Sequence, residues 1–600
     1  MPTSEAPAVS LRSAFNAAAP ANHLPTELVI QILTSGAWSH WWELVALTHI
    51  CQHWRAVALG TPQLWGDAAR SGLKERTTLF GRKSWEPVFL FLPALLARSA
   101  PGPIKFELSH PMTLTQLAEH EPAVSPYFAR LCHLSVDVQY PGDVAEVLRI
   151  VPSHFRNLQV LHILHANRPE GFVPITLGDV PSWKDMDLPH LHTLTIPGLC
   201  FTRSIAVPSL KTLILSDGPR SHGIFLAALA RCSLALESLT LLRWAHPDRE
   251  SSDVPASTTR VVQLPNLRFL KVAVRSKRPS ALLFAGLSLP PTVAIHFDWR
   301  SNYGNLCELL PKHLVGLHTA PYFDSMYLHL FDPLATGLHC FVGDVERLSV
   351  REKPRVDPVF PKGRTFSAFL TEHRYPAVTR LAIDMDMDMD EPDARRTSVT
   401  QWDRLPAFVA ALPGLRRLDL LGKNVRHLRR DIVKAFLQLD MRPPSATGAE
   451  SAAGTLKTLG YVCEVPERLR TEKAVGYVDG LRAQLDELAA LLAAHLAAGG
   501  PRLDRLELCI AYSARPPRPP PQAYPSVCGT VRPSTELTVC LSSTYLPRFA
   551  ALVDEVVFVG DVKRRGPGWR VLDSGVARVS QVTGPKRLRR GGTGTARKEL

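Results

Sequence analysis

The 600-residue chain lacks any run of about eighteen uncharged apolar residues, the length a helix needs to cross a bilayer. Its best candidate, VFLFLPALLA at 88–97, is ten residues long and broken by Pro93. The first twenty residues carry Glu5 and Arg12 and no apolar core of a secretory type, so no signal peptide is expected. Ten cysteines stand singly, at 51, 132, 200, 232, 307, 340, 463, 509, 528 and 540. None forms a C-x-x-C pair or sits beside histidines at zinc-finger spacing, which argues against a thiolate metal site. Reduced, mostly buried thiols of a cytosolic or nuclear protein are expected, with Cys51, Cys132 and Cys509 inside apolar periodic stretches. Also missing are G-x-x-x-x-G-K-[ST], G-x-S-x-G, H-E-x-x-H and a strand-borne G-x-G-x-x-G. GGTGTA at 591–596 lies in a basic tail, and His190 and His192, flanking Leu191, read as surface or satisfied histidines. The expectation is a non-enzymatic chain with no cofactor and no metal, located in the cytoplasm, the nucleus or both.

Charge is more local than the total suggests. The net +14 includes +8 from the last forty residues, where PKRLRR at 585–590 sits. Arginine outnumbers lysine 52 to 17 in a chain rich in Ala and Pro, the bias a GC-rich genome imposes. No basic stripe interleaved with aromatics marks a nucleic-acid surface, and nucleic acid is not an expected partner.

What is present begins with tryptophan. Five of eleven lie in the first 65 residues, at 38, 41, 42, 54 and 65. In HLPTELVIQIL (23–33), Pro25 suits a first helical turn, and Leu28, Ile32 and Leu33 follow at helical spacing. In ELVALTHICQHWRAVALG (43–60), Leu44, Leu47, Ile50, Cys51, Trp54, Val57 and Ala58 share one face, which predicts a single helix closed by Gly60. TPQLW (61–65) is predicted to turn Leu64 and Trp65 back onto the helices. About 45 residues are too few to cover so many rings, so part of this apolar surface is expected to meet a partner.

Leu24-Pro25-x-Glu27-Leu28 with Ile32, then Leu47, Ile50-Cys51-x-x-Trp54-Arg55 and Pro62-x-Leu64-Trp65, resembles an F-box. The CQHWRAVALGTPQLW portion is especially similar to the F-box-like proteins expanded in mushroom-forming fungi. The resemblance implies a three-helix module that docks on the small adaptor of SCF ubiquitin ligases and, through it, a cullin. Carried over by position, the adaptor-facing residues would be Leu24, Pro25, Leu28, Ile32, Leu47, Ile50, Cys51 and Trp54. TSGAWSHWWE (34–43), between the first two helices, departs from the family pattern. A helical cap on the following repeats, without an adaptor, is the other reading of the same segment.

Farther on, apolar-x-x-Leu-x-apolar returns at 131–136, 158–163, 191–196, 210–215, 236–241, 267–272, 345–350, 378–383, 415–420, 456–461 and 503–508. The first starts are separated by 27, 33, 19, 26 and 31 residues, with a gap of 78 before Val345 that hides degenerate copies near Val293 and Leu328. An irregular leucine-rich array is expected, with an ordinary α/β domain as the alternative. DMDMDMDEPD (384–393) is read as a solvated acidic loop, ARPPRPPPQAYP (514–525) as a polyproline spacer, and 479–500 as a packing helix aligned on Leu481, Leu485, Leu488, Leu492 and Leu496.

The expected class is α/β, with an N-terminal three-helix F-box module followed by an irregular leucine-rich-repeat-like solenoid. The boundaries are 1–21 disordered, 22–67 F-box-like, 68–103 helical linker, 104–510 repeats, and 511–600 a Pro-rich loop, terminal strands and basic tail. In function this points to a substrate-recognition subunit of an SCF-type ligase, or to an F-box-like scaffold that does not direct degradation. In the clearest repeats the residues between the core positions are Lys211, Thr212 and Ile214; Arg268, Phe269 and Lys271; and Arg416, Arg417 and Asp419. Lys211, Arg268, Lys271, Arg416 and Arg417 are therefore candidates for gripping an acidic or phosphorylated protein substrate.

Overall fold

A computed structural model describes residues 19–35, 41–74, 86–108, 121–138, 141–165, 187–216, 221–244, 261–274, 286–300, 323–331, 336–343, 345–353, 377–386, 411–423, 426–439, 456–466, 471–513, 535–562 and 576–580, with isolated positions between them. The chain divides into two compact units, Met1–Phe297 and Asp298–Leu600, so the stretch expected as one array from 104 to 510 is split. Each unit is mixed α/β and built on mainly parallel strands of a large sheet.

In the first unit, helices α1 (Thr26–Ser35), α2 (Trp41–Leu47), α3 (Gln52–Leu59), α4 (Pro62–Lys74) and α5 (Glu86–Arg98) precede the strands. Then come β1 (Ile104–Leu108), α6 (Glu121–Phe128), β2 (Leu131–Val138), α7 (Pro141–His154), β3 (Val160–His165), β4 (Thr193–Pro197), β5 (Thr212–Ser216), α8 (His222–Cys232), β6 (Ser238–Trp244), a short β7 (Val262–Gln263), β8 (Phe269–Val274), β9 (Leu287–Ser288) and β10 (Ala294–Arg300). β1 to β6 and β8 pair in parallel, each with the next, and β10 bonds to β8. β7 and β9 form a separate parallel pair.

The register follows from side-chain alternation. One buried row runs Phe106, Leu134, Leu161, Leu194, Leu213, Leu239, Leu270, and a second Leu108, Val136, Ile163, Ile196, Leu215, Leu241, Val272. A slip of one residue would turn a whole strand's leucines to solvent, so the apolar pattern fixes the pairing. The connections match the sequence spacing. The 19-residue step from β4 to β5 has no α-helix, only a single 3-10 turn at Gly198–Cys200 with Phe201 packed 6.1 Å from Phe225. Asn157, Ser209 and Asn266, each just before the first Leu of a repeated motif, donate to Ala129 O, Leu191 O and Leu234 O, ahead of the preceding or paired strand. These bonds satisfy turn carbonyls that strand pairing leaves over. α4 packs closely against β1.

The second unit contains β11 (Ser325–Phe331), β12 (Thr336–Val342), β13 (Val345–Lys353), β14 (Arg380–Asp386), β15 (Arg417–Lys423), α9 (Arg426–Leu439), β16 (Thr458–Pro466), α10 (Thr471–Ala497), β17 (Leu503–Ser513), α11 (Thr535–Ala550), β18 (Val553–Val562) and β19 (Val576–Ser580). β11, β14, β15, β16, β17 and β18 are parallel. The β12–β13 hairpin adds antiparallel to β11, and β19 adds antiparallel to β18. The Val345–Val350 copy is thus the second arm of a hairpin, running in the same direction as β11 but joined to it through the reversed strand β12. The hidden copies near Val293 and Leu328 are β10 and β11.

Further expectations change. Residues 43–60 form two helices, because Thr48 bonds back to Val45 O through its hydroxyl (2.7 Å) and Cys51 becomes an extended N-cap for α3. TPQLW begins α4, which runs past the expected boundary at residue 67. Asp384 is a strand residue with 0% exposure that accepts from Tyr327 Oη at 2.5 Å, so the acidic run is not wholly a solvated loop. Cys51 and Cys132 are only half-buried, whereas Cys200, Cys232 and Cys340 are fully buried. Burial pushes the Cys200 and Cys232 thiols up to about 12, and Cys340 is also raised. These three stay protonated and unreactive at neutral pH. Residues 514–525, 585–590 and 591–596 and Trp38 lie outside the described residues.

Leu213 sits in the middle of the first buried row at 0% exposure. Leu213→Ala is expected to cost about 2–5 kcal/mol, read as a shifted urea midpoint of the first unit's unfolding.

Candidate functional site

The N-terminal helices bury one set of side chains and present another. On α1, Val29 and Leu33 are at 0% and 1% exposure, while Leu28 and Ile32, four residues apart on another face, are at 44% and 40%. Ile50, in the turn between α2 and α3, is 48% exposed, and Trp42 and Leu59 are open as well. Leu24 and Leu47 are half-buried and Pro25 is exposed. The beginning of α1 is tied to α3 by His53 Nε2 and Leu24 O at 3.2 Å, and to itself by Val29 N donating to Pro25 O at 3.1 Å.

Below this surface lies a core of Leu44, Trp54, Val57, Ala58, Leu64 and Trp65. Trp54, expected to face a partner, is inside. Cys51 has a capping role, its Sγ accepting from Trp54 N at 3.4 Å. Trp65 donates its Nε1–H to Ala58 O at 2.8 Å, and the Arg98 guanidinium stands 4.8 Å above its ring. Of the eight expected contact residues, Leu28, Ile32, Ile50 and Pro25 are therefore open, Leu24, Leu47 and Cys51 partly so, and Trp54 supports them from beneath.

The sheet positions divide by unit. In the first, Lys211 and Arg268 are exposed and Lys271 is half-buried. Lys211 Nζ lies 3.2 Å from Glu237 Oε1. In the second, Arg416 is exposed, but Arg417 belongs to a network crossing the face opposite the leucines. Asp419, with 6% of its side chain exposed, takes Arg380 Nε and Arg417 Nη2, each at 2.9 Å. Arg417 also reaches Glu507 at 2.6 Å, Arg505 meets Glu507 at 2.7 Å, and Arg505 lies 3.5 Å from Glu555. Burial lowers the Arg417 pKa, but Asp419 and Glu507 more than offset it and hold it raised.

The bridge from β15 to β17 passes over β16 at Gly460, the register partner of both Asp419 and Glu507. A Cβ at Gly460 would run into Asp419 Oδ1, so only glycine leaves room there. The expected cationic surface around Arg417 is consequently neutralised by Asp419, Glu507 and Glu555. The sequence pattern missed this because Arg380, Arg505, Glu507 and Glu555 sit on other strands, brought together only by parallel register.

The chain matches no protein-family model and no curated protein.

Among the described residues no group of three or more His, Cys, Asp or Glu could hold a metal ion, and no helix is long and apolar enough to cross a membrane. Chemically, the arrangement offers contact surfaces: an apolar one on the helices and polar ones on the sheets.

Asp419→Ala removes both the Arg380 and Arg417 contacts to Asp419. A loss of about 2 kcal/mol is expected, moderated because Arg417 keeps Glu507. Gly460→Ala should cost about 1–3 kcal/mol by crowding Asp419. Urea unfolding of each variant measures both, and wild-type midpoints would contradict the network.

Proposed function

We propose that the chain is a substrate-recognition subunit of an SCF-type ubiquitin ligase. The α1–α3 segment acts as the F-box module, and the parallel sheets act as an irregular leucine-rich array that captures a protein substrate. The observation that carries this reading is the exposure of Leu28 and Ile32 on α1 and of Ile50 in the turn before α3, over an interior that is already filled. They are positions that the F-box resemblance assigns to the adaptor, and large apolar side chains left in water there suit an interface. Docking there would bring in a cullin through the adaptor. Catalysis would then be by proximity, with tethering raising the effective concentration of a substrate lysine near the conjugating enzyme.

One observation favours a second role for part of the segment. α4 packs closely against β1, which suits a helical cap on the array. The two roles are compatible, because α4 packs inward while Leu28 and Ile32 face out.

Leu28→Asp with Ile32→Asp is the direct test. Both side chains are exposed, so stability should change by no more than about 0.5 kcal/mol per site. Co-purification of the adaptor should be lost, because charge is placed in an apolar contact. Retained adaptor binding would overturn the proposal. The same variant separates receptor from scaffold: a receptor's bound partners become longer-lived in cells, whereas a scaffold's half-lives stay equal. A point variant is preferable to deleting the segment, since removing α4 would uncover β1.

A further inference from the structure

The exposed positions that the F-box reading gives to the adaptor come from two places in the chain. Leu24, Pro25, Leu28 and Ile32 belong to the start of α1 and its outward face, whereas Ile50 and Cys51 lie just before α3. Between these places runs a buried apolar layer. Val29 and Leu33 of α1 and Trp54 and Val57 of α3 are all buried, and the two helices pack on each other. Apolar burial is non-directional. It keeps the helices in contact without setting how the start of α1 is turned against α3.

A directional contact spans the same two helices. His53, the second residue of α3, places Nε2 3.2 Å from Leu24 O. A carbonyl only accepts, so the ring donates through Nε2–H. The acceptor belongs to no helix. The ladder of α1 begins at Pro25, whose carbonyl takes Val29 N at 3.1 Å, and Leu24 stands one residue before it. Leu24 is extended, at φ −62° and ψ 133°, and Pro25 has no N–H to offer. His53 thus fastens the chain at the point where it turns into α1. It does so from a place three residues after Ile50 and two after Cys51. Both groups of exposed positions are therefore referred to one side chain.

We infer that His53 is a positioning residue for adaptor docking, holding Leu24 O so that α1 is set against α3 before the partner arrives. The inference rests on the F-box reading and adds a residue that the resemblance does not assign to the adaptor. Its physics is preorganisation. When the docking-competent arrangement is less populated in the free chain, apparent affinity falls by that fraction. The loss falls mainly on association, because binding then waits on a conformational change.

The test is stopped-flow association of the full chain with purified SCF adaptor, alongside hydrogen exchange on the free chain. His53→Ala should weaken binding about three- to tenfold, mostly through slower association. His53→Gln carries an amide N–H of similar reach and should recover wild-type association. His53→Phe keeps a ring without the donor and should stay slow, which separates the hydrogen bond from packing. In the free chain, exchange across Thr26–Ser35 should quicken severalfold in His53→Ala and His53→Phe but not in His53→Gln. Wild-type association in His53→Ala or His53→Phe overturns the inference, and so does unchanged exchange across Thr26–Ser35. Binding that is lost with Leu28→Asp and Ile32→Asp yet indifferent to His53 sinks the inference and leaves the ligase reading standing. No binding by the wild-type chain sinks both.

Discussion

Parallel strands can pair only if each brings its apolar side chains to the same face at the same height. That constraint explains most of this chain. The recurring Leu-x-apolar triplets supply the alternation, and lateral hydrogen bonds such as Glu237 N to Lys211 O and Arg268 N to Glu237 O lock neighbouring repeats together. Between strands the chain is free to vary, because any connection that returns to the helix side with enough apolar surface will serve. A fourteen-residue α7 and the 3-10 turn at Gly198–Cys200 both satisfy it. Irregular repeat length is therefore compatible with regular register.

The same constraint decides what the opposite faces become. Since register places residues of like number side by side, a few substitutions change a whole surface. In the second unit, Arg417, Asp419, Gly460, Glu507 and Arg505 align into a charge network made possible by one missing side chain. In the first, Thr193, Thr212 and Ser238 align instead, a row of short hydroxyl side chains. Strands with similar cores thus offer different chemistry outward in the two units.

The strands were legible because period-2 burial writes itself into sequence. Phe269 to Val274 alternates as expected from the LPNLRFLKV motif, and even the degenerate copies at Val293 and Leu328 are strands. Pairing direction was not legible: Val345–Val350 has the repeat pattern, yet pairs antiparallel with β12, since a hairpin arm and a repeat strand bury alternate residues alike. The helix break at Thr48–Cys51 was hidden because the apolar positions keep helical phase across it. Which residues of the N-terminal segment face water was only partly readable. Leu28 and Ile32 lie outward as expected, but Trp54 is needed to fill the interior that short helices could not otherwise complete. The neutralisation of Arg417 was beyond reach, because its partner Glu507 is ninety residues away in sequence and meets it only through strand order.

We propose that docking falls to exposed apolar side chains on the helices and partner capture to the strands, two surfaces with separate physics. Hydrogen exchange on the full chain, with and without purified SCF adaptor, tests that division most directly. The account predicts slowed exchange in peptides spanning Thr26–Ser35 and Gln52–Leu59, where adaptor contact would suppress local opening, and unchanged exchange across Thr193–Pro197, Thr212–Ser216 and Ser238–Trp244. Protection of those strands with the helices unaffected would contradict it.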